Sequence, residues 1–111
     1  MFINANIMTT YTLNNGLDRI ELREGKEDTW EIYDIKVLSQ RLKGNGRKLF
    51  EESLSLNPRI IYAFTRESNK GGRAFYKALG FNEILIPNFY KEENAIMVIY
   101  ENSLYRKIQE S

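Results

Sequence analysis

Hydrophobic and polar residues alternate along the first forty positions, which is the pattern of β-strands that have one buried face. The alternation predicts three strands with turns between them, and such strands would form an antiparallel meander. The predicted strands are Ile7 to Leu13, Ile20 to Arg23 and Trp30 to Leu38. Asn14-Asn15-Gly16 is a turn signal between the first two. In the third strand we expect Tyr33, Ile35 and Val37 to share the buried face, because they alternate with polar residues.

The hydrophobic period changes to that of a helix after Gly44-Asn45-Gly46. The segment Arg47 to Leu56 places its apolar residues on one side, and Asn57-Pro58 is expected to end this first helix. The apolar run that follows, Ile60 to Phe64, is typical of a central strand that is buried on both faces.

A second helix is predicted after this strand, with Ser68 or Asn69 as its cap. Gly80 stands where a residue in the left-handed conformation commonly ends a helix. The side of the helix that is predicted to be buried has four apolar residues. They are Ala74, Phe75, Ala78 and Leu79.

Two closing strands, Ile84 to Ile86 and Ala95 to Tyr100, complete the pattern, and the tail Ser103 to Ser111 is either a short helix or frayed. The predicted order is therefore β-β-β-α-β-α-β-β. A strand-helix-strand unit in the middle implies a parallel pair of strands. The predicted class is thus α/β (α+β) in one domain over residues 1–111, with a mixed, mostly antiparallel sheet and two main helices.

Composition narrows the chemistry that the chain can carry out. The 111 residues contain neither cysteine nor histidine, which excludes disulfides, thiolate zinc sites and a Ser-His-Asp triad. Proton transfer must therefore use carboxylates, tyrosine, lysine, water or the substrate. The net charge of +1 gives no reason to expect a nucleic-acid or membrane partner. No signal peptide and no spanning apolar run is recognisable, so a cytoplasmic protein is expected.

A glycine loop between the third strand and the first helix is the first candidate site. Arg41-Leu42-Lys43-Gly44-Asn45-Gly46 would leave backbone N–H groups at the start of the helix, where the helix dipole favours anions. Arg41, Lys43, Arg47 and Lys48 add positive charge. The pattern predicts a phosphate or pyrophosphate site, although glycines here can equally serve the turn alone. The spacing matches neither a P-loop nor the three-glycine dinucleotide motif.

Two motifs in order resemble the GCN5-related N-acetyltransferase (GNAT) family. Arg41-x-x-Gly44-x-Gly46 matches the family's pattern of Gln or Arg, two residues, Gly, one residue, then Gly or Ala. The second motif has Asn69, Tyr76 and Gly80-Phe81 at the family's spacing, with Gly72 where an alanine is usual. The resemblance covers residues 30–81 well and the closing strands loosely.

The resemblance implies acetyl-CoA as co-substrate, with no metal, and assigns roles to the matching residues. Backbone N–H groups of residues 42–47 would hold the pyrophosphate, and the end of the third strand would pair with the pantetheine arm. Tyr76 would protonate the leaving thiolate. The residues assigned to the coenzyme are Ile35, Val37, Leu38, Arg41, Leu42, Lys43, Gly44, Asn45, Gly46, Arg47 and Asn69. Glu31 and Asp34 on the third strand are candidates for the general base, and solvated surface carboxylates are the alternative for both.

The resemblance also bears on the acceptor. The family usually has two helices between its first two strands, where they form one wall of the acceptor site, and residues 7–20 leave no room for them. An open site suits a protein lysine or a chain terminus better than a small molecule, and compact family members include phage or mobile-element effectors. The alternative is an inactive GNAT-fold module that binds or inhibits a partner. A nucleic-acid binder is a weaker reading, and edge strands permit a homodimer.

Overall fold

The computed structural model describes residues 7–13, 16–38 and 44–107. Six strands form one mixed sheet with the order β1-β2-β3-β4-β6-β5. Only β3 and β4 are parallel. The strands are β1 (Met8–Thr12), β2 (Arg19–Glu24), β3 (Thr29–Lys36), β4 (Ile60–Arg66), β5 (Asn82–Ile86) and β6 (Ala95–Glu101). The helices are α1 (Asn45–Ser53), which a 3-10 turn (Leu54–Leu56) extends, and α2 (Lys70–Ala78). This arrangement confirms the predicted fold class and element order.

Both helices pack on one face of the sheet, and the core lies between them and the strands. Phe50 of α1 meets the rings of Phe81 and Tyr100 edge-on, at centroid distances of 5.3 and 5.0 Å. The other face of the sheet is less covered: Tyr62 and Phe64 on β4 are only half-buried. The prediction that β4 is buried on both faces is therefore wrong for one face. No helix in the described ranges is long and apolar enough to cross a membrane.

A β-bulge in β3 changes which residues of that strand are buried. Glu21 pairs with Asp34 but the next residue, Leu22, pairs with Ile32, so Tyr33 is an extra residue in β3. The bulge shifts the alternation by one position, because two residues of one strand then oppose one residue of the other. Tyr33 is 58% exposed, whereas Trp30 and Ile32 are in the core. The prediction that Tyr33 is buried with Ile35 and Val37 is therefore wrong.

The helices differ from their predictions in detail. α1 begins at Asn45, two residues before the predicted start, and Asn57 in the left-handed conformation follows the 3-10 turn. In α2 the buried residues are Tyr76 and, just after the helix, Leu79, while Ala74 and Ala78 are exposed. The helix is therefore rotated relative to the prediction. Gly80 has a φ of 98°, as expected for the residue that ends a helix. The tail has no helix as far as residue 107.

The parallel strands β3 and β4 are paired over only part of their length, and this positions the candidate site. Their ladder consists of Thr29–Ile60, Trp30–Ile61 and Glu31–Tyr62. Beyond these pairs β3 continues to Lys36 and β4 to Arg66 without pairing to each other. The two strands diverge from the bulge onward, so a gap opens in the middle of the sheet.

Candidate active site

A cavity of about 400 Å³ lies in the gap between the diverging ends of β3 and β4. Residues from both faces of the sheet and from α2 line it. The lining residues are Ile32, Tyr33, Asp34, Ile35, Val37, Phe64, Thr65, Asn69, Gly72, Phe75 and Tyr76. The lining combines apolar side chains with polar groups such as Asp34, Thr65 and Asn69, and ligand sites commonly combine the two.

Tyr76 is the ionisable group in this cavity that burial affects most. Its side chain is 7% exposed, and its ring packs against Phe75 and Phe81. Burial and, to a smaller extent, the nearby carboxylate of Asp34 together raise the pKa of the Tyr76 phenol to about 12. A phenol in this environment is neutral at physiological pH and can donate a proton.

Asn69 connects β4 to α2 at the wall of the cavity. Its side-chain oxygen accepts a hydrogen bond from the backbone N–H of Gly72 at 3.0 Å, and this caps the helix. Its side-chain nitrogen donates to the hydroxyl of Thr65 at 2.9 Å. A Cβ at position 72 would lie 2.5 Å from that nitrogen, so the glycine gives the capping side chain its space. The predicted cap is confirmed.

The start of α1 contacts the same cavity through Phe75. A Cβ at position 46 would lie 2.7 Å from Cε1 of the Phe75 ring, so only glycine permits this close packing. Gly44 precedes the helix in the left-handed conformation, with a φ of 72°, and has no side chain that could cap it. No acidic residue occurs in the first turn. The first turn itself therefore contributes no negative charge against the positive end of the helix dipole.

A buried carboxylate joins the end of β3 to the start of α1. Asp18 is fully buried, and its Oδ1 accepts a hydrogen bond from the backbone N–H of Leu38 at 2.8 Å. Its Oδ2 accepts a hydrogen bond from the side chain of Asn45 at 2.7 Å. The N–H of Leu38, which the resemblance places near the pantetheine arm, is thus already bonded within the protein.

The structure brings several of the predicted residues together and separates others from them. Ile35, Val37, Asp34, Asn69 and Tyr76 all line the cavity. Glu31 does not, because its carboxylate pairs with Arg23 at 2.5 Å outside that lining. This ion pair raises the pKa of the Arg23 guanidinium. Glu31 therefore stays a prediction as a base, with its carboxylate paired to Arg23.

The cations of the glycine loop are only partly described. The side chain of Arg47 donates to the carbonyl oxygen of Ala78 at 3.2 Å, so it is directed toward the end of α2. Arg41, Leu42 and Lys43 lie outside the described residues, and so do Asn14 and Asn15 of the predicted turn. Gly44, Asn45 and Gly46 form the start of α1.

Sequence reasoning missed several residues of the site, including Ile32, Tyr33 and Gly72 of the cavity lining. Thr65, Phe64 and Phe75 line the cavity, and Asp18 supports it. Thr65 precedes the capping Asn69 by four residues, which is a weak signal for a contact between them. Asp18 lies in a hairpin turn, where an acidic residue is ordinary, so no sequence signal distinguishes it. Within the described ranges no group of acidic residues is arranged to hold a metal ion.

No protein-family model matches the chain, and no curated protein matches it. Solved structures do match. A protein from Bacillus anthracis that is predicted to be a streptothricin acetyltransferase, bound to acetyl coenzyme A, superposes with a TM-score of 0.78 at 24% identity. The alignment covers 91% of this chain and 66% of that one.

Two further structures give the same result. The ribosomal-protein-S18-alanine N-acetyltransferase of Escherichia coli has a TM-score of 0.72 at 22% identity, over 99% of this chain and 77% of its own. A GNAT family acetyltransferase from Elizabethkingia anophelis, with acetyl-CoA bound, has a TM-score of 0.70 at 20% identity. The alignment covers 82% of this chain and 72% of that one. The chain has the GNAT fold. The resemblance that the two motifs indicated is thereby confirmed at the level of the GNAT fold.

Proposed function

We propose that this protein is an acetyl-CoA-dependent N-acetyltransferase. The observation that carries the proposal is the neutral phenol of Tyr76, which lines a cavity between diverging parallel strands. The GNAT fold supports the choice of co-substrate, because two of the similar structures hold acetyl-CoA. The chemistry needs neither histidine nor cysteine, so it fits the composition.

The proposed reaction is an acyl transfer from sulfur to nitrogen. The nitrogen lone pair of the amine attacks the thioester carbonyl, the C–N bond forms and the C–S bond breaks. The leaving thiolate takes the proton of the Tyr76 hydroxyl, and the proton that the amine loses restores the phenol through water. We assign Asp34, which lines the cavity beside Tyr76, as the group that takes up the amine proton first and then passes it through water to the Tyr76 phenolate. Proximity and carbonyl polarisation supply the remaining acceleration.

We assign the coenzyme to the two walls that flank this cavity. The pyrophosphate is assigned to the start of α1, at Gly44 and Gly46, where the helix has no acidic residue in its first turn. The pantetheine arm is assigned to Ile35 and Val37, since the N–H of Leu38 is bonded to Asp18. Asn69 forms the opposite wall. Arg41, Leu42 and Lys43 stay predictions from the motif, as do the backbone groups of Asn45 and Arg47.

We propose a protein amine, a lysine side chain or a chain terminus, as the acceptor. Support comes from the half-covered face of the sheet, where Tyr33 is 58% exposed and Phe89 is 51% exposed. Phe89 stacks on Phe64, a residue of the cavity lining, at 5.0 Å. Among the described residues, none on this face forms a wall that would enclose a small molecule at the cavity. A role as a phage or mobile-element effector stays a prediction.

Calorimetric titration with acetyl-CoA tests the co-substrate. Binding to the wild type is expected, and Gly44→Glu should abolish it, because a negative charge would then lie at the start of α1. Gly44→Gln is the matched control: any side chain at a φ of 72° is strained, so the two variants share the strain and differ in charge. A wild type that does not bind acetyl-CoA would overturn the proposal and leave an inactive binding module.

Steady-state kinetics test the role of Tyr76. With poly-L-lysine as the acceptor, Tyr76→Phe should lower kcat by roughly 10²-fold or more and leave the Kd for acetyl-CoA unchanged, because only the proton donor is lost. The ring and its packing against Phe75 and Phe81 are retained in this variant. An unchanged kcat would remove Tyr76 from the mechanism.

A further inference from the structure

We propose that Asp18 is a positioning residue for coenzyme A, because its carboxylate fixes the end of β3 relative to the start of α1. The inference rests on the proposed function, since these two segments are the ones assigned to the pantetheine arm and the pyrophosphate. It adds a residue that lies in the hairpin turn between β1 and β2, outside both sequence motifs.

The geometry of Asp18 is that of a clamp between two segments. The carboxylate bridges residues that are 20 and 27 positions away in sequence, Leu38 after β3 and Asn45 at the start of α1. Each of its two oxygens accepts a hydrogen bond, at 2.8 and 2.7 Å. The backbone carbonyl of Asp18 also accepts a hydrogen bond from the N–H of Leu13 at 2.9 Å, so the hairpin itself fixes the residue.

Full burial makes this clamp rigid. A carboxylate with no exposed surface is tolerated only where donors compensate for the lost hydration, so movement of either partner away from Asp18 is unfavourable. Charge-assisted hydrogen bonds of this kind are shorter and stronger than neutral ones. Leu38 and Asn45 are therefore held at a fixed separation across the segment between them.

Both ends of the clamp lead to the cavity. Val37, the neighbour of Leu38, lines the cavity directly. Gly46, the neighbour of Asn45, packs against Phe75, which also lines it. A shift of either end therefore moves a wall of the coenzyme site.

Two opposite effects are expected when the carboxylate is removed. Its negative charge near the start of α1 opposes the binding of an anion, whereas its hydrogen bonds keep the two walls in place. We infer that the positioning effect is the larger, because a misplaced wall weakens every contact to the coenzyme. Asp18→Ala, which removes both charge and hydrogen bonds, should then weaken coenzyme binding.

The test compares Asp18→Ala and Asp18→Asn by calorimetry with coenzyme A and by steady-state kinetics with acetyl-CoA and poly-L-lysine. Asp18→Ala should raise the Kd and KM about tenfold, the effect of losing hydrogen bonds to a charged group, with little change in kcat. Asp18→Asn should bind nearly as the wild type does, because an amide can still accept from Leu38 and pair with a rotated Asn45 amide.

Ser53→Ala is the control for a general loss of stability. Ser53 is a fully buried polar residue in the same helix, and its hydroxyl donates to the carbonyl of Phe50 within that helix. This variant should lose stability but keep the Kd for coenzyme A. If Asp18→Ala does not fold, Asn45→Ala removes the bond to Asp18 Oδ2 from the other partner and should still raise the Kd.

The results distinguish failure of the positioning role of Asp18 from failure of the proposed function. An unchanged or lower Kd in Asp18→Ala, or in Asn45→Ala if that variant replaces it, would overturn the positioning role while leaving the proposed function intact. Equal losses in Asp18→Asn and Asp18→Ala would mean that an amide of the same shape cannot replace the carboxylate, which contradicts positioning through hydrogen-bond geometry and also overturns the proposal. A wild type that does not bind coenzyme A would overturn the proposed function itself.

Discussion

The ring of Phe75 occupies the space that a side chain at position 46 would need. A Cβ built on Gly46 lies 2.7 Å from Cε1 and 3.0 Å from Cζ of this ring, which is closer than carbon atoms approach without strain. The contact joins the first turn of α1 to the middle of α2. Because Phe75 also lines the cavity, it connects the packing of the two helices to the shape of the site.

Gly46→Ala should therefore destabilise the protein by about 1–3 kcal/mol, as overpacking of a core commonly does. In an open helix position the same change would stabilise the protein by roughly 0.5–1 kcal/mol. The sign of the change in the free energy of unfolding therefore distinguishes close packing from open space. Urea denaturation measures the difference. The double variant Gly46→Ala, Phe75→Leu should recover part of the loss, because the smaller side chain makes room for the added methyl group. A Gly46→Ala variant that is as stable as the wild type would contradict the close packing.

The adjacent glycines of α2 should respond in opposite directions to alanine. A Cβ at Gly71 meets nothing within 4 Å, so Gly71→Ala should stabilise by about 0.5–1 kcal/mol. A Cβ at Gly72 would lie 2.5 Å from the side-chain nitrogen of Asn69, so Gly72→Ala should disturb the cap and destabilise by about 1 kcal/mol. Thermal unfolding of both variants checks this, and equal shifts of Tm would show that the cap has room to move.

The raised pKa of Tyr76 should appear as a loss of stability in alkaline solution. The phenol ionises at about pH 10.0 in the unfolded chain and at about 12 in the folded one. A pKa that is raised on folding contributes stability that is present below pH 10 and is lost as the pH rises toward 12. The loss should approach roughly 2–3 kcal/mol. Denaturation across this range should show the wild type losing stability relative to Tyr76→Phe as the pH rises from 10 to 12, since the variant has no such group. Parallel curves would refute the shift.

The two carboxylates of β3 should differ in their effect on catalysis. Asp34→Asn should lower kcat by about 10²-fold, because Asp34 lines the cavity, and it should also lower the pKa of Tyr76 by removing a nearby negative charge. Glu31→Gln is the matched control, since Glu31 pairs with Arg23 away from the cavity lining and should leave kcat within a few-fold. The kinetics are measured with acetyl-CoA and poly-L-lysine. A larger loss in Glu31→Gln would reverse the assignment.

The order of the elements and the two helix signals could be predicted because each depends on residues close together in sequence. The cap at Asn69 needs only an amide three positions away, at Gly72. The period of three to four residues likewise identified both helices. The rotation of α2 was not predicted, because Ala74 and Ala78 are small and apolar in sequence but do not reach the core.

The site was predicted less completely because its geometry depends on residues far apart in sequence. The exposure of Tyr33 follows from the pairing of β3 with β2, where one extra residue reverses the alternation. The surroundings of the Glu31 carboxylate also depend on the neighbouring strand, since Arg23 on β2 pairs with it. The packing reason for Gly72 is local, but it depends on the side-chain position of Asn69, which composition and spacing do not specify.

The short parallel ladder has a consequence for motion. Three residue pairs join β3 to β4, whereas seven join β4 to β6, so the sheet consists of two antiparallel halves that meet at a narrow seam. Small rotations about this seam would widen or narrow the gap while both halves stay intact. A molecule that bridges the gap would couple the halves, and amide hydrogen exchange should then slow in β2 and β6 together, including at residues that no ligand touches.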